Sequence, residues 1–284
     1  MKHYLHYDRD QLDRQYNVRA GIPRFQDIFD SWNETARAYR QQHEVRTNLH
    51  YGTHRLQALD YFPATQADAP LLVFIHGGYW RSLDKDDFSH VAGPYHEAGI
   101  AVAMINYRLA PEVDMPEIVG DVRLALSWLY RQAAQLGFNA DEIYVAGHSA
   151  GGHLAAVLAA TEWCDAGLPD NVVKGLCCVS GLYDLEPIRL CYLNEALQLD
   201  QPQVEQFSPL HHLPQLPIPV VLTAGGAESA EFHRQLAAYG LRLQAAGFPV
   251  RQVRLADGHH LDVISKLADK DNELAQALVA LIRT

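Results

Sequence analysis

Ile143-Tyr144-Val145-Ala146-Gly147-His148-Ser149-Ala150-Gly151-Gly152-His153-Leu154 is the stretch whose reading decides the fold. Four apolar or β-favouring residues run into Gly147, and a helix-like run follows from 150 to 161. Ser149 therefore sits in a G-x-S-x-G pentapeptide between a strand and a helix, the context of a nucleophile elbow. The flanking glycines leave space where the chain turns sharply, so that the serine hydroxyl projects from the edge of a sheet. By itself the pentapeptide also fits a Gly/Ala-rich loop. The strand before it and the helix after it argue for the elbow.

Outward from this stretch, strands and helices alternate. Residues 71–75, Leu-Leu-Val-Phe-Ile, form a continuous apolar run, the mark of a strand buried on both faces. The run ends in His76-Gly77-Gly78-Tyr79-Trp80. Further strands are predicted at 100–105, 172–179, 220–224 and 250–255. Helices are predicted near 86–97, over 115–136, over 229–246 and, as one piece, over 261–283. This order predicts an α/β fold with a mostly parallel central sheet and right-handed crossovers, helices lying on both faces. Upstream, residues 44–62 alternate around Tyr51-Gly52-Thr53 and read as a β-hairpin. Residues 1–42 are polar with helically spaced aromatics (Phe25, Phe29, Trp32, Tyr39) and predict an N-terminal helical extension. A less regular stretch, 181–217, is taken as a cap-like insert. With no linker or repeat in view, 1–284 reads as a single domain.

A chain of 284 residues buries roughly 75% of its unfolded surface, so core size is not limiting. The net charge of −11 argues against nucleic acid or an anionic membrane as partner. Cys164, Cys177, Cys178 and Cys191 form no C-x-x-C pair and read as small buried hydrophobes in a reducing compartment. The N-terminus lacks an apolar core of the signal-peptide kind, and no apolar run is long enough to cross a bilayer. A soluble, cytoplasmic protein acting on a small molecule is the expectation, and a homodimer is the one assembly left open. The fifteen histidines include no H-E-x-x-H and no Cys/His spacing suited to zinc, so neither metal nor organic cofactor is expected. His211 and His212 lie in a proline-bounded loop and read as surface.

A serine hydroxyl needs an adjacent base, and the base needs an orienting acid. On a sheet of this kind these follow the serine in the order acid, then histidine, at the carboxyl ends of later strands. Two adjacent histidines, His259 and His260, follow the last strand. The acid is Glu228, after the penultimate strand, or Asp184; Asp257 reads as a turn residue. Backbone donors for an oxyanion are expected at Ala150, which follows the serine, and at Gly77 and Gly78. Trp80 is compatible with core packing and with substrate contact alike.

These residues resemble one family. His76-Gly77-Gly78-Tyr79-Trp80, Gly147-His148-Ser149-Ala150-Gly151 and Ser180-Gly181-Leu182-Tyr183-Asp184-Leu185-Glu186-Pro187-Ile188 are similar to the kynurenine formamidase (arylformamidase) branch of the α/β-hydrolases. So are Glu228-Ser229-Ala230-Glu231-Phe232-His233-Arg234-Gln235 and Asp257-Gly258-His259-His260-Leu261-Asp262-Val263-Ile264. The first two motifs are shared by many esterases; the tryptophan after H-G-G-Y and the stretches 185–188 and 231–235 are more specific. The resemblance implies His260 over His259 and Glu228 over Asp184, with Glu228 standing where the family usually has aspartate. It implies hydrolysis of an aryl formamide such as N-formyl-kynurenine through a formyl-Ser149 intermediate, without cofactor, and Tyr79, Trp80 and Tyr183 lining an aromatic pocket. The same machinery also suits a broad-specificity carboxylesterase or an amidase on another small N-acyl substrate. A non-catalytic binding module on the same fold would predict a lost nucleophile or base, and both are present.

Overall fold

A computed structural model describes residues 3–283. Eight strands form one sheet: β1 (Arg46–His50), β2 (Ala58–Phe62), β3 (Ala69–Ile75), β4 (Ala101–Ile105), β5 (Phe138–His148), β6 (Val173–Val179), β7 (Val220–Gly225) and β8 (Val250–Leu255). Their order is β1-β2-β4-β3-β5-β6-β7-β8. The pairs β1/β2 and β2/β4 are antiparallel and all others parallel. The predicted hairpin is the β1/β2 pair, and β3 and β5 are neighbours in the middle of the sheet.

Side chains alternate between two cores, as the twofold period of a strand requires. Leu71, Val73, Ile75, Val145, Leu176 and Cys178 face one side, and Leu72, Phe74, Ala146, Cys177 and Val179 the other. The adjacent cysteines thus point to opposite faces; all four cysteines are free thiols, and Cys177, Cys178 and Cys191 are buried as expected whereas Cys164 is exposed. The helices are α1 (Arg9–Tyr16), α2 (Phe25–Gln42), α3 (Gly93–Glu97), α4 (Met115–Leu136), α5 (Ala150–Ala159), α6 (Glu186–Leu190), α7 (Asn194–Leu197), α8 (Gln201–Phe207), α9 (Ala230–Ala245), α10 (Asp262–Leu267) and α11 (Glu273–Ile282). The helix predicted over 115–136 is α4, started by a capping box between Asp114 and Glu117 and stopped by Gly137 in the left-handed region. The single helix predicted over 261–283 is two: the chain breaks after Ala268, and the Asn272 side chain caps α11 by accepting from Leu274 N–H.

The N-terminal extension straddles the sheet. Leu12 and Tyr16 of α1 belong to the core on one face, Ile22 and Trp32 to the core on the other. The segment between them, residues 17–24, therefore passes over an edge of the sheet. It is the edge where the parallel strands end. Among the described residues no helix is long and apolar enough to cross a membrane.

Candidate active site

Ser149 leaves β5 at φ 55°, ψ −120° and opens α5. This conformation is costly for a non-glycine residue, on the order of 1–3 kcal/mol, and persists only where its surroundings enforce it. Here the enforcement is local. Ser149 N–H donates to Val179 O of β6 at 2.9 Å. A Cβ at Gly151 would overlap the Ile75 carbonyl, and one at Gly147 would overlap the Gly151 carbonyl, so the turn closes only without side chains there. The Ala150 N–H lies in the first turn of α5, where amides have no partner within the helix.

The loop after β3 curls beneath the serine. Gly77 packs against His148 and Ser149 Cβ. Gly78 (φ 105°), Tyr79 (φ 50°) and Trp80 (φ 56°) continue in the left-handed region. A Cβ at Gly78 would overlap the Ser82 carbonyl, which adds a steric demand for glycine to the conformational one.

His260 Nδ1 lies 2.7 Å from Glu228 Oε2. The other carboxylate oxygen accepts from Gly225 N–H at 2.7 Å and from the Ser180 hydroxyl. Burial alone pushes the Glu228 carboxyl up, but the His260 ring and these donors outweigh it and hold the group below its ordinary value. His260 is held from a second side: His148 Nε2–H donates to the His260 carbonyl at 2.9 Å. Burial, with His260 next to it, pushes His148 down to about 3, so it stays neutral at pH 7.

A cavity of about 480 Å³ opens above Ser149, bounded by Gly78, Tyr79, His148 and His260 below and by Asn17, Val18, Arg19 and Tyr192 above. A second, of about 390 Å³, reaches Glu228 and His260 from the other side of residues 17–22. The structure thus brings Ser149, Gly78, Tyr79 and His260 to one cavity, with Glu228 behind His260, and Gly77 and Ala150 packed beside the serine.

Two expected pocket residues lie elsewhere. Trp80 is fully buried; its indole N–H donates to His153 Nδ1 at 3.2 Å, and the opposite ring nitrogen of His153 donates to Phe207 O. Tyr183 folds back over Gly181, stacks on Tyr239 with ring centroids 4.3 Å apart, and lines no part of the cavity. Both belong to the core on the α9 and α5 side. Tyr79 lines the cavity with its ring only, since its hydroxyl donates to Tyr16 O at 2.7 Å.

The rival residues are engaged in other work. Asp184 accepts from Tyr4 and pairs with Arg234. His259 accepts from Leu261 N–H and Asp262 N–H and pairs with the Asp262 carboxylate. Sequence reasoning missed Ser180, His148 as a brace for the His260 loop, and the roof of Arg19 and Tyr192. His148 stood next to the nucleophile in the motif and was legible to that extent; the others are long-range contacts with no local signal.

A family model described as BD-FAE matches residues 59–230. The kynurenine formamidase of Danio rerio is 30% identical over 99% of this chain and 99% of its own length. A candidate thioesterase of Silicibacter sp. TM1040, solved by crystallography, superposes with a TM-score of 0.84 at 30% identity, covering 96% of this chain and 99% of that one. A carboxylesterase of Mycobacterium tuberculosis is 33% identical over 51% of this chain and 46% of its own.

Proposed function

Because the chain belongs to the kynurenine formamidase family of α/β-hydrolases, we propose that this serine hydrolase cleaves N-formyl-kynurenine to kynurenine and formate. Ser149 Oγ attacks the formyl carbon while His260 takes the hydroxyl proton. The N–H groups of Ala150, Gly78 and Gly77 receive the oxyanion. Collapse of the tetrahedral intermediate breaks the C–N bond, and His260 returns the proton to the departing aryl nitrogen. Water then attacks the formyl ester, again with His260 as base, and formate leaves as Ser149 recovers its proton. Glu228 keeps the imidazole in the tautomer with Nδ1–H and stabilises its charged form. The roof formed by residues 17–19 and by Tyr192 of the 181–217 insert acts as a cap that shelters the formyl ester from bulk water.

The observation that carries this reading is the Glu228–His260 pair at 2.7 Å opening onto the same cavity as Ser149. The partial match to a carboxylesterase favours activated esters as the second reading. The test compares kcat/KM for N-formyl-kynurenine with that for 4-nitrophenyl acetate. Formamide hydrolysis is expected to dominate, and a strong ester preference overturns the assignment. Ser149→Ala is expected to abolish both activities; surviving turnover removes Ser149 from the reaction.

A further inference from the structure

The wall of the larger cavity is rich in donors. Arg19 comes from the N-terminal segment and Arg81 from the loop after β3, and both line the cavity together with Trp32. Among the described residues no aspartate or glutamate lines it. Neither arginine has an acidic partner within ion-pair distance among those residues. Each is held by aromatic rings instead. The Arg19 guanidinium carbon lies 5.5 Å from the Phe25 ring centroid and 5.2 Å from that of Phe29, and Arg81 lies 5.8 Å from that of Tyr192. Ring faces orient a guanidinium while leaving its N–H groups free for an anion. In a chain of net charge −11, two unneutralised guanidinium groups at one mouth reverse the local sign and draw anions inward.

We infer that Arg19 and Arg81 form a carboxylate-binding subsite for the leaving-group half of the substrate. The inference rests on the formamidase reading, in which the leaving aryl amine carries an amino-acid side chain with a free carboxylate. It makes the enzyme selective for a leaving amine that bears a carboxylate over one that lacks it. Arg19 lies outside the 59–230 match, so half of this subsite belongs to the N-terminal extension rather than to the hydrolase body.

The test uses Arg19→Gln, Arg81→Gln and the double variant on two formamides, N-formyl-kynurenine and 2-formamidoacetophenone, which lacks the amino-acid portion. Each single variant is expected to raise KM for N-formyl-kynurenine about tenfold, the equivalent of one charge-assisted contact, with kcat within twofold. For 2-formamidoacetophenone the loss in kcat/KM should be several times smaller. Raising salt from 0.05 to 0.5 M should mimic the variants for the carboxylate-bearing substrate only. Equal losses on both formamides, or no loss on either, overturn the subsite. If the wild-type enzyme turns over neither formamide, the formamidase reading fails, and phenyl acetate against 4-acetoxyphenylacetate then decides on the arginines. A preference for the anionic ester that disappears in the double variant upholds them, and equal kcat/KM for the two esters in wild type and variant removes them.

Discussion

Glu228 reaches His260 with one oxygen while Gly225 N–H and the Ser180 hydroxyl hold the other. Its longer side chain is accommodated because the carboxylate is anchored at its own loop as well as at the histidine. Glu228→Gln keeps the shape but removes the charge that fixes the imidazole tautomer, and kcat should fall by about 10²–10⁴-fold. Asp184→Asn should leave kcat within about threefold, because Asp184 spends its oxygens on Tyr4, Arg234 and Glu186 N–H. Steady-state rates of the two variants decide the matter, and the reverse ranking would reassign the acid. At this scale the nucleophile was plain, because an elbow needs glycines close in sequence. The choice between Glu228 and Asp184 was not, since both follow strand ends and only the folded distance separates them. Trp80 and Tyr183 looked like pocket aromatics for a related reason: adjacency to Gly78 and Gly181 shows where the backbone lies, not which way a ring turns.

Tyr16 is a principal tie between the N-terminal extension and the body of the fold. The Tyr16 hydroxyl donates to Glu231 Oε2 at 3.0 Å and accepts from Gln235 Nε2 at 2.8 Å. Its carbonyl accepts from Tyr79 and, at 3.4 Å, from Tyr192. Glu231 and Gln235 belong to the α9 stretch that supported the family resemblance, and their contacts give that stretch a physical role, since they anchor α1 beside the site. Burial, and then the Glu231 carboxylate, push the Tyr16 hydroxyl well above its ordinary range, so it remains a donor at all working pH values. Tyr16→Phe strands the Gln235 Nε2–H and removes one donor from Glu231 Oε2, which keeps Arg234, at a cost of about 1–3 kcal/mol. The variant should melt earlier and be cut faster by protease within residues 17–24; unchanged melting and cutting rates would refute the anchoring role. The helices of the extension were legible from their aromatic spacing. Their straddling of the sheet was not, because periodicity reports which face of a helix is apolar and not what it packs on. The break between α10 and α11 was obscured in the same way, since apolar spacing resumes after Asn272 as if the helix had continued.

Buried neutral histidines couple the whole molecule to pH. Burial pushes His90 and His153 down to about 4 and His148 to about 3, and it lowers His76 as well. In the unfolded chain all four take up protons near pH 6.5. Between that value and about 4 the unfolded state therefore binds more protons than the native one, and stability falls as pH falls. Glu228 acts in the same direction at lower pH, because its depressed folded value makes its contribution disappear as it protonates. From pH 7 to 5.5 each of His90, His148 and His153 should cost about 1.3 kcal/mol, or about 4 kcal/mol for the three together, with His76 adding in the same direction. Denaturant unfolding at the two pH values measures this, and a flat profile would contradict it. The parallel sheet was readable at this scale, because apolar runs such as 71–75 leave few alternatives. The ionic contact between Lys85 and Asp60, 3.0 Å apart and nearly inaccessible to solvent, was not, since isolated charges in sequence read as surface.

The straddling extension has a consequence for how the protein is made. Residues 17–19, which roof the cavity, are synthesised about 240 residues before His260. A nascent chain exposes a roof with nothing beneath it, and later a serine without its base. Hydrolysis begins only when both distant segments have met across the completed sheet. The first turnover of a newly translated chain therefore reports that segments far apart in the sequence have met around the sheet.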